Sequence, residues 1–375
     1  MPPIGALAGV THRYARVSAL IHDPDWLILD EPTTGVDPLS RQQFWDLIAH
    51  IRGQRPEMSV IVATAYMEEA GEFDWLTAMS DGRVIATGTS AEIRANAGQP
   101  TLEKAFIAML PEAAHRGHRD VVVPPWRPTD GPPAIEAKSL SRDFTAVDVA
   151  NFEIERGETV GSLGSNGCGK TATMKMLTGL LPASKGQALF FGESLDVGDM
   201  RTRSRVGHMS QSFSLNTEQT VRQNLDLHAD LYQLPASKRA GRVAEIIQKF
   251  HLAEVVDARP DALPLGIRQR LQLAVAIIHS PEVLILDAPS SGVDPVARDA
   301  FWQHLIALSR EDGVTIFIST HFMNEAQRCD SISLMHAVRV LAGGTRAEIA
   351  QSTNTENLSD AFVDCLRAAI VDRAP

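Results

Sequence analysis

Apolar and polar positions alternate along the 375-residue chain in two different patterns. Short apolar runs, of which Val283–Leu286 is the clearest, are typical of strands that are buried on both faces of a parallel sheet. Other segments, such as residues 243–250, place apolar residues three to four positions apart, as an amphipathic helix does. The two patterns together predict an α/β fold in which helices cover a largely parallel sheet.

The sequence contains one long internal repeat. Residues 27–38 read Leu-Ile-Leu-Asp-Glu-Pro-Thr-Thr-Gly-Val-Asp-Pro, and residues 284–295 read Leu-Ile-Leu-Asp-Ala-Pro-Ser-Ser-Gly-Val-Asp-Pro. The pair Phe44-Trp45 recurs with the same offset of about 257 residues as Phe301-Trp302. A period of this length indicates a duplicated domain and not a solenoid.

The two copies differ in extent. Residues 1–110 read as a partial first copy, in which a helix ends near His22. Its remaining predicted elements are strands at 26–29, 59–63, 76–79 and 84–87 and helices at 39–51 and 102–110. Residues 111–134 contain six prolines, which stiffen the chain and predict a linker. Residues 135–367 read as a complete second copy, with strands at 159–163, 283–286 and 315–319 and a helical subdomain at about 212–270.

One motif in the second copy indicates its chemistry. The stretch Gly164-Ser165-Asn166-Gly167-Cys168-Gly169-Lys170-Thr171 matches the phosphate-loop pattern G-x-x-x-x-G-K-[ST] at every constrained position. Its backbone N–H groups are expected to surround phosphate oxygens at the N-terminus of the following helix, where Ala172 extends the contact set. Lys170 is expected to reach the β- and γ-phosphates, and the Thr171 hydroxyl to bind Mg²⁺. The motif predicts a nucleoside triphosphate site, with a ligand-free glycine-rich turn as the alternative.

A second element places a carboxylate at the end of a buried strand. Asp287 follows the apolar run 283–286, as a Mg²⁺-associated aspartate would, and Ser-Gly-Val-Asp comes behind it. With these motifs the chain resembles the ABC-type ATPases, the nucleotide-binding domains of ABC transporters. The phrases SNGCGK, MKMLTGLLPAS, LPLGIRQRL and STHFMNEAQRCD are similar to the RbbA-type ribosome-associated members, which have tandem ATPase domains and a membrane segment. The resemblance implies a P-loop fold with a helical subdomain, preceded by the C-terminal half of another copy.

The resemblance also implies roles for further residues. Phe144 stands where the family stacks an aromatic ring on adenine, with a core phenylalanine as the alternative. Gln211 resembles the glutamine that contacts Mg²⁺ and couples to a partner domain, with a surface glutamine as the alternative. His321 resembles the histidine that bonds the γ-phosphate, and Asp294 resembles an aspartate of the dimer interface. The implied catalytic residues are His321, Gln211, Asp287 and Glu31, and the implied metal ligands are Thr171, Gln211 and Asp287.

Cofactors, partners and location follow from the same resemblance. It implies ATP and Mg²⁺ as cofactors, and dimerisation with a second ABC domain. The implied partner is a membrane permease domain or subunit, with the ribosome as a further candidate. The implied location is cytoplasmic, at the inner face of the cell membrane when bound there. The net charge of −11 and the lack of a basic run do not favour direct nucleic-acid binding. Three unevenly spaced cysteines indicate neither a disulfide framework nor a metal site.

Departures from the family pattern bear on activity. Ala288 replaces the glutamate that polarises the attacking water, and such general-base catalysis is worth about 10²–10⁴ in rate. The signature loop, residues 263–270, begins Leu-Pro-Leu-Gly where the family has Leu-Ser-Gly-Gly. The first copy keeps Glu31 but has Ala65 at the position of the histidine and no phosphate loop of its own. The predicted function is that of the ATP-binding subunit of an ABC transporter-like or ribosome-associated system with impaired hydrolysis.

Several alternatives stay open at this point. The chain could be a competent ATPase that drives transport or translation, a nucleotide-stabilised scaffold, or a non-functional remnant truncated at its N-terminus and lacking the membrane part. Cys168 is a candidate reactive thiol because it precedes a helix N-terminus, with a small packing residue as the alternative. The strands of the first copy lack the strand and helix that would cover one face, so we expect exposed apolar surface there.

Overall fold

The computed structural model describes residues 24–34, 36, 38–112, 118–142, 147–164, 168–194, 202, 204–210, 215–320, 322–336, 339–355 and 358–371. The helix predicted to end near His22 lies outside these residues. The chain divides into two compact units. The first unit comprises Met1–Thr34 with Ser40–Arg116, and the second comprises Gly35–Leu39 with Gly117–Pro375.

The first unit has two small, separate sheets among its described residues. Its elements are β1 (Trp26–Asp30), α1 (Pro38–Gln54), β2 (Ser59–Ala63), α2 (Met67–Ala70), β3 (Leu76–Ser80), β4 (Arg83–Gly88), α3 (Ser90–Ala97) and α4 (Leu102–Met109). β1 pairs in parallel with β2, and β3 pairs antiparallel with β4. All four strands predicted in this region are present; β2 has the predicted bounds, and the other three are longer by one or two residues.

Alternation along β1 decides which face of the first sheet is buried. Leu27 and Leu29 point to one face, where they form a buried cluster with Phe44 and Ile48 of α1. The residues between them point to the opposite face, because successive side chains of a strand alternate. This opposite face is the exposed one.

The second unit contains a larger set of elements. They are β5 (Ile135–Arg142), β6 (Val147–Ile154), β7 (Thr159–Gly164), α5 (Lys170–Leu177), β8 (Lys185–Phe190), β9 (Glu193–Ser194), β10 (Val206–Met209), α6 (Val221–Leu231), α7 (Ala236–Lys249), α8 (Leu265–Ala276), β11 (Val283–Asp287), α9 (Pro295–Arg310), β12 (Thr315–Thr320), α10 (Met323–Ala326), β13 (Ser331–His336), β14 (Arg339–Gly344), α11 (Arg346–Thr353) and α12 (Leu358–Val371). Helices α6 and α7 occupy the region predicted to be helical.

The main sheet of the second unit positions the phosphate-loop motif and Asp287. Its strand order is β10-β11-β12-β7-β13-β14, in which the first five strands are parallel and β14 is antiparallel. A second, antiparallel sheet has the order β6-β5-β8-β9. Because the strands β7, β11 and β12 are parallel, their carboxyl ends lie at one edge, where α/β proteins bind ligands.

Two buried clusters cover the opposite faces of this sheet. On one face, Leu284 and Leu286 of β11 belong to a cluster with residues of α6, α7, α8 and α9. On the other face, Val283 and Ile285 belong to a cluster with residues of α5 and of the antiparallel sheet. Strands buried on both faces explain the continuous apolar runs in the sequence.

The later part of the proline-rich segment, residues 118–133, lies along the second unit. The Nε2 atom of His118 is 3.0 Å from a carboxylate oxygen of Asp299 on α9. The indole N–H of Trp126 donates to the carbonyl oxygen of Arg156 at 3.0 Å. This part of the segment is therefore fixed to the second unit over its length, while the domain boundaries proposed from the sequence stay a prediction.

Candidate functional site

The phosphate-loop motif occupies a strand-to-helix connection. Strand β7 is buried throughout and ends at Gly164, and α5 begins at Lys170. A Cβ atom on Gly164 would lie 2.3 Å from the carbonyl oxygen of Met335 and 2.7 Å from Sγ of Cys168, so only glycine fits. Gly169, the N-cap of α5, has φ 91°, in the region that favours glycine. The two glycines thus have separate steric and conformational reasons for their positions.

Lys170 is the cation of this connection. Its side chain is buried, and its Nζ atom donates to the carbonyl oxygen of Gly164 at 2.7 Å. The same Nζ lies 3.8 Å from Sγ of Cys168. The lysine side chain therefore turns back toward the carboxyl end of β7. Cys168 itself is buried, which favours the packing alternative for this thiol.

A hydrogen bond joins the phosphate loop to the second motif. Thr171 Oγ1 donates to Oδ2 of Asp287 at 2.8 Å. The two residues are 116 positions apart in the chain, and both were predicted as metal ligands. A hydroxyl oxygen beside a carboxylate oxygen fits Mg²⁺, which takes oxygen ligands and is held by few protein groups plus phosphates and water. No cluster of three or more His, Cys, Asp or Glu residues suited to a metal occurs among the described residues.

Ala288 has the same backbone conformation as Glu31 of the first unit but lacks its carboxylate. Its φ is 46°, almost equal to the 45° of Glu31 in the first unit. The N–H of Ala288 donates to the carbonyl oxygen of Ser319 at 2.9 Å, and the N–H of Glu31 donates to the carbonyl oxygen of Ala63 at 2.8 Å. A positive φ is uncommon outside glycine and is found at turns and strained functional sites. The two units therefore share this turn, and only the first supplies a carboxylate there.

The carboxylate of Glu31 is held by its own unit. Its Oε1 accepts from the N–H of Ala65 at 2.9 Å, and its Oε2 accepts from the hydroxyl of Thr34 at 2.5 Å. Ala65 stands at the position where the second unit has His321. The Glu31 carboxylate is thus hydrogen-bonded to the backbone at the first-unit position that corresponds in sequence to His321.

A buried carboxylate that the sequence reasoning missed supports the second turn. Glu325 is completely buried, accepts from Thr320 Oγ1 at 2.6 Å and forms a further hydrogen bond with Ser290. In the first unit, Thr33 donates to both oxygens of Glu69 at 2.7 and 2.8 Å. The recurrence of a hydroxyl residue after the motif and of glutamate at this spacing is the signal that could have identified the pair.

The segment that contains the altered signature loop begins helix α8. Pro264 is the N-cap of α8 and supplies no side-chain cap, a role that serine commonly fills. A Cβ atom on Gly266 would lie 2.4 Å from Cβ of Ala297, so α8 and α9 approach closely at this point. Asp294 caps α9, since its side chain accepts from the N–H of Ala297 at 2.9 Å. This aspartate has a local structural role, whatever its role at an interface.

A histidine lies near the predicted metal site and was also missed. His208 on β10 is partly buried, and burial lowers its pKa; the nearby charge of Asp287 raises the pKa and that of Lys175 lowers it further. Ser319, level with Asp287 on the next strand, has a buried hydroxyl with no hydrogen-bond partner among the described residues. Both residues point to a polar environment around Asp287.

Several predicted site residues lie outside the described part of the chain. They are Phe144, Ser165, Asn166, Gly167, Gln211 and His321. Ala172 is described and packs partly against the core beneath α5. The structure therefore brings Gly164, Cys168, Gly169, Lys170, Thr171 and Asp287 together, while Glu31 belongs to the other unit.

Comparisons with known proteins agree with this geometry. Residues 147–291 match the family model described as ABC transporter. The chain is 32% identical to the probable multidrug ABC transporter ATP-binding protein YbhF of Escherichia coli over an alignment 430 positions long. This alignment covers 96% of this chain and 74% of YbhF. The chain is 35% identical over 230 residues to the Nod factor export ATP-binding protein I of Ralstonia nicotianae, which covers 60% of this chain and 71% of that protein.

A solved structure gives the same result for the fold. The ATP-binding subunit of an ABC transporter matches with a TM-score of 0.57 and 28% identity, covering 62% of this chain and 99% of that one. The predicted α/β fold of an ABC nucleotide-binding domain is confirmed, whereas the half-domain in residues 1–110 and the likeness to RbbA-type proteins stay predictions. No described helix is both long and apolar enough to cross a membrane. From the match to YbhF, the chain belongs to the family of ABC transporter ATP-binding proteins.

Proposed function

We propose that the second unit binds MgATP and hydrolyses it slowly, and that the chain works as the ATP-binding subunit of an export system with a membrane permease as its partner. ABC ATPase domains in general bind ATP with Mg²⁺. The observation that supports binding here is the 2.8 Å hydrogen bond between Thr171 and Asp287, close in sequence to the buried Lys170 at the end of β7. The observation that supports slow hydrolysis is Ala288 in the turn where Glu31 stands in the first unit.

Each residue of the second unit has a distinct part in this proposal. Lys170 exchanges its bond to the Gly164 carbonyl for the β- and γ-phosphates, because a charge-assisted bond to phosphate is the stronger one. Thr171 and Asp287 would hold Mg²⁺, which neutralises phosphate charge when bound. From the family resemblance, Gln211 and His321 would contact Mg²⁺ and the γ-phosphate.

Hydrolysis is limited by the missing base. The methyl group of Ala288 can neither accept a proton nor orient the attacking water. Positioning and electrostatic stabilisation of the γ-phosphate do not depend on residue 288, and they account for most of phosphoryl-transfer catalysis. We therefore expect slow hydrolysis, with a rate below that of a site with a glutamate by the factor that a general base contributes.

The partner and cargo are proposed from the relatives. One relative is named for multidrug transport and the other for Nod factor export, so export through a permease is the role we propose. The ribosome stays a prediction from the family resemblance alone, and the relatives above do not support it. Dimerisation through a second ABC domain is proposed on the family resemblance.

The test is the affinity for MgATP, measured by titration calorimetry on the full chain. Lys170→Ala should weaken binding by at least about 100-fold, the effect of losing a bond to a charged group in a desolvated site. Lys175→Ala is the matched control, because Lys175 lies on the same helix but is exposed. Equal affinities of the wild type and Lys170→Ala would refute the assignment of the site.

A further inference from the structure

A buried hydroxyl at the carboxyl end of β12 is left without a hydrogen-bond partner. Ser319 is only 1% exposed, and its Oγ atom bonds to no residue in the part of the chain that the structure describes. Buried polar side chains are nearly always hydrogen-bonded, because losing water without gaining a partner is costly. An unpaired group of this kind therefore indicates a water molecule, an ion or a functional contact that completes it.

The register of the main sheet places this hydroxyl beside Asp287. Strand β12 pairs in parallel with β11, and Ser319 is level with Asp287. Level residues on neighbouring strands point to the same face of a sheet, and every second residue along a strand returns to that face. Two residues earlier, Ile285 and Phe317 are also level and belong to the buried cluster that includes residues of α5. Ser319 and Asp287 therefore share the face that α5 covers, at the edge where Thr171 bonds to Asp287.

A second buried serine lies on the other side of Ser319. Ser162 of β7 is level with Ser319 and is fully buried. Its Oγ atom donates to Sδ of Met335 at 3.3 Å. Of these two neighbouring serines, one is satisfied within the protein and the other is not. The unsatisfied serine is the one beside the carboxylate that we propose for Mg²⁺.

The internal repeat shows that the backbone at this point does not require a hydroxyl. Ala63 of the first unit stands at the position of Ser319 and is level with Asp30. The carbonyl oxygens of Ser319 and Ala63 accept equivalent hydrogen bonds, in each unit from the N–H of the residue after the aspartate. The strand end and the turn therefore form with alanine as well as with serine, and the Ser319 hydroxyl serves something other than the backbone.

We propose that Ser319 is a positioning residue for the magnesium site, and that its hydroxyl binds a water molecule of the Mg²⁺ hydration shell next to Asp287. Mg²⁺ keeps several water molecules when a protein holds it through one or two oxygen side chains and the phosphates of a nucleotide. Groups that hydrogen-bond to the ligands of a metal orient those ligands and raise the affinity for the metal. This role rests on the proposed function of the second unit, because it requires Mg²⁺ bound with ATP.

The two hydroxyls near Asp287 have different parts in this arrangement. Thr171 donates to Oδ2 of Asp287 and would contact Mg²⁺ directly. Ser319 has no bond to Asp287 and acts one layer further out. A serine oxygen has lone pairs that accept hydrogen bonds, and a water molecule on a cation points its hydrogens away from the metal. Ser319 therefore accepts a hydrogen bond from that water and fixes its orientation.

Titration calorimetry of ATP into the full chain, in EDTA and over a series of Mg²⁺ concentrations, tests this role. Ser319→Ala should raise the Mg²⁺ concentration that gives half of the full effect on ATP affinity by about tenfold or more, as the loss of such a contact usually does. The affinity for ATP in EDTA should stay unchanged, because Ser319 acts only through the metal-bound water. Ser162→Ala is the matched control, since it removes a buried serine hydroxyl from the adjacent strand, and it should keep the Mg²⁺ dependence of the wild type.

Urea unfolding of the ligand-free chain separates this role from a structural one. Ser319→Ala removes an unpaired buried hydroxyl and should not lower the unfolding midpoint, whereas Ser162→Ala breaks a hydrogen bond and should lower it. Ser319→Cys is a second variant of similar size whose thiol hydrogen-bonds only weakly, so it should shift the Mg²⁺ dependence in the same direction as Ser319→Ala. A lower midpoint for Ser319→Ala together with an unchanged Mg²⁺ dependence would overturn the proposal.

The same titrations distinguish a failure of this role from a failure of the proposed function. If the wild type binds ATP in a Mg²⁺-dependent way and both Ser319 variants keep that dependence, the role of Ser319 is refuted and the proposed function stands. If the wild type binds no ATP at any Mg²⁺ concentration, the proposed function is refuted and the role of Ser319 with it.

Discussion

Restoring a carboxylate at position 288 is the most informative perturbation of the second unit. Ala288 already has a φ of 46°, so the substitution Ala288→Glu adds no backbone strain beyond that of alanine. The equivalent Glu31 is held by a hydroxyl, that of Thr34, and the second unit has Ser291 at the matching position. The structure therefore offers the new carboxylate the same backbone and a similar hydroxyl donor.

The expected gain follows from the lost chemistry. A general base contributes about 10²–10⁴ in rate, which corresponds to about 3 to 5 kcal/mol in the barrier to hydrolysis. Single-turnover hydrolysis of MgATP, with the protein in excess over the nucleotide, isolates the chemical step. Ala288→Glu should accelerate it by that factor, with little change in the affinity for MgATP.

Ala288→Gln is the matched control, because an amide has the size of the carboxylate but cannot take a proton. It should hydrolyse ATP no faster than the wild type. Equal acceleration by the two substitutions would show that side-chain size, and not a base, limits the rate. An unchanged rate in Ala288→Glu at full nucleotide binding would refute the reasoning about this position.

Three further predictions concern the packing, charge and metal chemistry of the chain. Gly164→Ala should lower the free energy of unfolding by about 1–3 kcal/mol through overpacking, whereas Gly241→Ala on α7, with open space around it, should raise it by about 0.5–1 kcal/mol; urea unfolding compares the two. Burial lowers the pKa of His279 and of His304 from 6.5 to about 4, so the unfolded chain binds more protons between those values and stability is lost as the pH is lowered through that window. Each histidine should cost up to about 2 kcal/mol at pH 5 relative to pH 7, and substituting either with leucine should flatten the slope measured by urea unfolding at several pH values. Asp287→Asn should remove most of the Mg²⁺ dependence of ATP binding, seen by titration with and without Mg²⁺, while Asp226→Asn on α6 should leave it intact.

The strands and the phosphate loop could be predicted because their causes are local. The run at 283–286 is apolar at every position and the run at 315–319 is apolar at its three central positions, as expected for strands buried on both faces. Helix α3 was missed although Thr89 and Glu92 form a capping box, a signal readable from the sequence. Thr345 and Glu348 form the same box before α11.

Other features could not be read from sequence because they depend on distant contacts. The left-handed φ of Ala288 depends on a bond to Ser319 on the neighbouring strand, and no local propensity of alanine favours it. The path of residues 118–133 depends on partners such as Asp299, more than a hundred residues away. The spacing of the motifs indicated that Thr171 and Asp287 belong to one site, but only the fold gives their 2.8 Å separation.

The central claim is that the second unit binds MgATP but hydrolyses it slowly, and one paired measurement tests it most directly. The affinity for MgATP and the single-turnover rate constant are measured on the same preparation of the full chain. The account predicts saturable binding and a rate constant below about 0.1 s⁻¹, because enzymes commonly turn over near 10 s⁻¹ and the lost base contributes at least about 100-fold. Hydrolysis at several turnovers per second, or no binding of MgATP at all, would contradict it.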